Sequence, residues 1–236
     1  MTRLLKGELQ KLLSTRTLLG YAIAGVALTV ANVVIVALAS GELDEVGEKQ
    51  EALAGLPILL LVLGLVGEHR HRTAAPAALV ARVDRGRLLS VRIAAYALAG
   101  LAVGGLMVAV SLGLGLALLA DQPGPALTVG EVVPVAAGCL AAAVLSAIMG
   151  AALGALVRNQ VAGVVGALML NFVMNPLIAI VDESAAEYTP FGASAVLAGM
   201  THNTPLSAPA AALVLVAWTL PLVAAATILE RRRDLA

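Results

Sequence analysis

Imidazole and thiol chemistry in this chain is confined to four residues: His69, His71, His202 and the single cysteine, Cys139. The histidines are all expected in loops. His69 and His71 stand among arginines, where two ligands make a poor metal site, and one cysteine rules out a disulfide framework or a thiolate-rich metal centre. No HExxH stretch, no serine with a buried histidine partner and no pair of membrane carboxylates occurs. No GxxxxGK[ST] stretch occurs either, so the chain has no phosphate-cradling loop of its own. The expectation is a protein that is not itself an enzyme, holds no metal or cofactor, and cannot hydrolyse ATP alone.

What remains is a small set of polar groups within long apolar runs: Asn32, Ser111, Ser146, Asn171, Asn175 and Thr219. Asn171 and Asn175 share a helix face at i, i+4, and Pro176 follows them and frees a backbone carbonyl nearby. Two readings of Asn32, Asn171 and Asn175 stay open: hydrogen bonds between helices, or a polar patch along a substrate path.

The elements that position these residues follow from composition. The 236 residues are 60% hydrophobic and 13% charged, with a mean hydropathy of +0.96 and fifteen basic residues against fifteen acidic ones. A soluble domain carries about twice that share of charge, so the chain reads as an all-α polytopic membrane protein. Crossing the hydrocarbon takes roughly 20 apolar residues as a helix. Charge-free runs at 18–39, 53–67, 93–119, 134–157, 161–181 and 208–229 predict six spans within one transmembrane domain covering 1–236. The first run is too long for a signal-peptide core and is read as a retained span.

Basic residues set the topology. With six crossings and both termini inside, fourteen Lys/Arg lie on the inner face and only Lys49 outside, as the positive-inside rule requires. The expected location is a bacterial cytoplasmic membrane, with both ends cytoplasmic. No ionisable group lies within the runs so drawn, which argues against proton-coupled transport. Tyr21 and Tyr96 are placed at the inner interface, and Trp218 is read as mid-span packing.

Between spans, Leu5, Leu9, Leu12 and Leu13 line one face of 3–16 and Arg3, Lys6, Gln10 and Ser14 the other, which predicts an amphipathic helix on the inner membrane surface. The inner loop 68–92 holds Pro76 at the start of a helix-favouring stretch, then a break at Asp84, Arg85 and Gly86 before Arg87 restarts the helix. Attraction to anionic lipid accounts for most of its arginines. The folded turn and Glu68 at the membrane exit point to a protein partner. The acidic outer loops, including Glu45, Glu48, Glu131 and Asp182, read as a solvated face. In the last of them the apolar stretch 190–200 is too short to span, which predicts short re-entrant or interfacial helices before span six.

An amphipathic amino-terminal helix, six spans, GEHRHRT leaving span two, RVDRGRLLSVR entering span three, VRNQVAGVVG between spans four and five, and the long outer segment before span six together resemble the type-2 ABC exporter permeases, small bacterial ones in particular. The resemblance covers essentially the whole chain and rests on architecture more than on invariant motifs. It implies a permease subunit that dimerises and works with two separate ATP-binding subunits, which bind the ATP and Mg. By position, 4–16 with Lys6 and Lys11 would be the elbow helix resting on the ATPase. The loop tip 76–83, with Pro76, Leu79 and Arg82, would be the coupling helix, with Arg85 beside it. Glu68, Arg70 and Thr73 match the family's Glu-x-Arg-x-x-Thr pattern at the ATPase contact, while Arg72 stands where relatives often have glycine. The residues from Leu177 to Val181 and the segment after them would form the outer gate.

The function expected is therefore the transmembrane permease of an ATP-driven exporter. Its partners would be an ATP-binding subunit, a second copy of the permease and membrane lipid, with no nucleic acid. The alternative is a stand-alone channel-like facilitator or membrane scaffold without ATP coupling.

Overall fold

A computed structural model describes residues 2–14, 16–39, 43, 45–55, 57–74, 85–120, 122–157, 159–200 and 204–232. Most of the described residues are helical, with no strand among them. In order they form α1 (Thr2–Ser14), α2 (Arg16–Ala39), α3 (Val46–Ala52), α4 (Pro57–Ala74), α5 (Arg85–Leu119), α6 (Val129–Leu156), α7 (Gln160–Met169), a π turn (Leu170–Met174), α8 (Asn175–Val181), α9 (Glu183–Glu187), α10 (Pro190–Leu197) and α11 (Ala208–Arg232).

Among the described residues, six helical segments are long and apolar enough to cross a membrane, which makes this a multi-pass membrane protein. They alternate in direction, leaving Lys/Arg-rich segments at one end of the bundle, here the basic end, and acidic segments at the other. Helix limits run past the charge-free runs. α4 starts at Pro57 rather than 53 and continues to Ala74, and α5 already begins at Arg85, inside the stretch expected to break. Hydrocarbon thickness limits how many residues must be apolar; it does not stop a helix from continuing into the polar layer.

Helix starts at the acidic end explain several acidic residues. Glu45 and Glu48 form a reciprocal capping box on α3. At α6, Thr128 N and Oγ1 donate to Glu131 Oε2 at 2.6 and 2.8 Å, so this helix begins five residues before Pro134, where the charge-free run starts. Asp182 caps α9. Each carboxylate satisfies orphan backbone donors and sits at the positive end of a helix dipole. Part of the solvated acidic face is thus a set of helix caps. Lys49 is buried with its Nζ donating to Pro125 O at 3.0 Å, which ties α3 to the loop before α6.

The bundle is organised on α6, which packs on α4, α5, α10 and α11. Backbones approach closely where side chains vanish: Gly150 faces the Leu61 carbonyl, Gly154 faces Leu65, and Gly64 faces Ala147 and Ala151, leaving no space for a Cβ at any of them. Gly100 and Gly104 of α5 meet Ala147 and Ala143 in the same way. Without a hydrophobic drive between helices in lipid, such contact is what dispersion and packing can stabilise.

α1 lies across the basic end of α5. Leu12 is buried, and Leu5 and Leu9 half-buried, against Ala95, Tyr96, Ala99 and Ala151, while Lys6, Gln10 and Lys11 are exposed. At the acidic end, α9 and α10 occupy the segment before the last span, and α10 buries Phe191, Val196 and Leu197 against α6 and α11.

Candidate functional site

Three segments far apart in sequence converge at the basic end. Glu68 lies in the C-terminal half of α4, Arg92 two turns into α5, and Glu8 midway along α1. Arg92 Nη1 donates to Glu68 Oε1 at 3.0 Å, and Arg92 Nε lies 3.9 Å from Glu8 Oε2. Glu8 Oε1 in turn accepts from Lys11 Nζ at 2.9 Å. Glu68 is fully buried, Glu8 is 4% exposed and Arg92 8%. Two carboxylates thus share one guanidinium, and the side chain of Lys11, 60% exposed, brings the second positive charge from the rim.

The cluster needs a floor, and Tyr96 supplies it. One turn beyond Arg92, Tyr96 is fully buried, and its ring and hydroxyl lie where a Cβ at position 67 would stand, so only Gly67 fits beside it. Tyr96 is therefore a core residue, not the interfacial ring expected from its position at the start of a span. The ion pair also corrects the expectation of charge-free spans. Limits at 67 and 93 stop one residue short of Glu68 and Arg92, while both helices run on and bury these charges inside the bundle. Buried ions are retained only when paired, because desolvation consumes most of the Coulomb gain. Such a cluster fixes register more than it adds stability. Here it fixes α1, the end of α4 and the start of α5 relative to one another.

Of the residues expected to couple to a partner, Glu68 points inward to Arg92, and Lys6 and Lys11 lie on the exposed side of α1. Arg70 and Thr73 are carried on α4, and Arg85 opens α5. Pro76, Leu79 and Arg82 lie outside the described residues. Glu8 and Arg92 were missed as site residues, although Glu8 had a signal. It sits at i+3 from Leu5 and four residues before Leu12, on the apolar face, where an acid must find a partner.

The asparagines separate. Asn175 Oδ1 accepts from Thr189 Oγ1 at 2.5 Å, a bond between α8 and the cap of α10. Thr189 Oγ1 also accepts from Gly192 N at 2.9 Å as that cap. Asn171 falls in the π turn, which Asn175 N closes by donating to Leu170 O. Pro176 has no N–H for the Phe172 carbonyl four residues back, so the helix widens by one residue there. Asn32 and Asn171 are half-buried. Nothing brings the three asparagines together. Trp218 of α11 donates its indole N–H to Tyr188 O at 3.0 Å, closing the same corner at the acidic end. Among the described residues, no three His, Cys, Asp or Glu side chains gather as a metal site.

No protein-family model matches the chain, and no curated protein matches it.

Proposed function

We propose that this chain is the transmembrane permease subunit of an ATP-driven exporter resembling the type-2 ABC permeases, working as a homodimer in a bacterial cytoplasmic membrane with both termini cytoplasmic. Separate ATP-binding subunits supply ATP and Mg binding, and the permease performs no catalysis of its own. The observation that carries the reading is the buried Glu8, Arg92 and Glu68 cluster at the root of the 68–92 loop. A docking loop can transmit force only if its base is rigid, and this cluster makes α1 and both arms of the loop one mechanical unit.

On this reading Glu68 is a positioning residue whose carboxylate is occupied by Arg92. Contact with the ATPase falls to the exposed Lys6 and Lys11 and to Arg70, Thr73, Pro76, Leu79, Arg82 and Arg85. Asn175 acts at the outer gate by holding α8 to α10, and Asn32 and Asn171 are assigned to the substrate path.

Co-expression of the full chain with an ATP-binding subunit, followed by affinity purification, tests this. Deleting 76–83 should abolish co-purification and membrane-dependent ATPase activity while the permease keeps its thermal midpoint. If the deleted form still assembles with the ATPase, the docking assignment is wrong.

A further inference from the structure

A second polar feature lies near the acidic end, away from the ion cluster. Between α3 and α4 the chain leaves helical geometry at Leu53, Ala54 and Gly55. In a membrane protein, non-helical backbone is tolerated where it is buried in protein or lines a polar space. These residues line a partly open pocket of about 20 Å³, together with Thr29, Ser111 and Cys139 and the apolar Leu60, Met107 and Val108.

Thr29 is the informative member. Threonine in an apolar helix ordinarily returns its hydroxyl to the carbonyl four residues back, as Thr219 does to Leu215 O and Thr227 to Val223 O, each at 2.7 Å. Thr29 is equally helical and only 2% exposed, yet its Oγ1 has no hydrogen-bond partner in the protein. Its neighbours are committed: Ser111 Oγ donates to Leu53 O, and Cys139 Sγ donates to Ala198 O, both at 3.0 Å. Each still offers lone pairs to the cavity. The volume matches one water molecule, which needs roughly 10–15 Å³ and two or more polar partners.

We propose that this pocket is a hydration site, in which one water molecule bonds Thr29 Oγ1 and bridges to the Ser111 hydroxyl and the Cys139 sulfur. The water supplies the hydrogen bond that Thr29 lacks, while the break at 53–55 already places its own N–H groups on Gln50 O, Glu51 O and Ala198 O.

The sign of one substitution distinguishes wet from dry. Thr29→Val keeps the shape and removes the hydroxyl. If the site is dry, losing an orphan buried hydroxyl raises the thermal midpoint; if it holds water, the water loses its anchor and the midpoint falls by about 2–4 °C. A second readout does not depend on unfolding. Cys139 is the only thiol in the chain, so its infrared S–H stretch reports on this cavity alone. With the full chain in lipid nanodiscs transferred to D2O, Thr29→Val should shift that band and slow its conversion to S–D, and Thr29→Ser should leave it as in the wild type. A midpoint that stays or rises in Thr29→Val, or an S–H band that ignores the substitution, overturns the proposal.

Discussion

Arg92 on α5 reaches Glu68 on α4 at 3.0 Å inside the bundle, closing a contact between positions 24 apart in sequence. The same guanidinium stands 3.9 Å from Glu8. Arg92→Met removes the cation that both carboxylates share, whereas Glu68→Gln leaves Arg92 its contact with Glu8. Arg92→Met should therefore be the more damaging, at about 3–5 kcal/mol, because it uncovers buried negative charge. Thermal denaturation in lipid nanodiscs reads the difference, and a double-mutant cycle should show coupling between 68 and 92. Additive effects would mean that the pair is not an energetic unit.

Close packing of α4 on α6 gives a second expectation. A Cβ at position 150 would strike the Leu61 carbonyl, which is backbone and cannot swing away. Gly150→Val should cost about 1–3 kcal/mol or more. Gly113 meets nothing within 4 Å, so Gly113→Ala should be neutral or gain about 0.5–1 kcal/mol from helix propensity. Equal midpoints for the two variants would contradict this packing.

Thr189 serves both as the cap of α10 and as the partner of Asn175. Thr189→Ala should lower stability by about 0.5–2 kcal/mol, and Thr189→Ser should restore most of it. Limited proteolysis of 182–200 from the acidic side should speed up in the alanine variant alone. Equal cleavage in all three proteins would remove Thr189 from this role.

Asp182 gives a pH dependence. Its Oδ1 accepts from Ser184 Oγ at 2.6 Å and from Ala185 N at 3.1 Å, and these bonds, that from Ser184 foremost, hold its carboxyl below the usual aspartate range. The capped, charged form is favoured on folding, so the cap is complete above the ordinary aspartate pKa and is lost as pH falls through the lowered folded value. Ser184→Ala should move the Asp182 midpoint upward, as carbon NMR of labelled aspartate would record. An unmoved midpoint would show that Ser184 contributes nothing.

Hydropathy made the number of spans legible because lipid imposes one requirement, a long charge-free run, on every crossing. The amphipathic spacing of Leu5, Leu9 and Leu12 likewise marked the buried face of α1. What escaped were features that depend on partners far along the chain. Glu68 and Arg92 each look like the polar edge of a span, and only their mutual contact lets both helices carry charge inward. α3, with Glu48, Lys49 and Glu51, has no apolar run to announce it and rests on its capping box and on Lys49 reaching Pro125. The π turn at Leu170–Met174 is written in Pro176, but which asparagine finds a partner depends on where α10 folds back.

We propose above that a separate ATP-hydrolysing subunit, docked at the basic end, moves this bundle. Purifying the full chain from native membranes in mild detergent and assaying the eluate for bound subunits and nucleotide hydrolysis tests it most directly. A stoichiometric ATP-binding partner that is lost when 76–83 are deleted is the expected result. A chain that elutes without any ATP-hydrolysing subunit, and that moves solute across liposomes in the absence of nucleotide, would contradict it.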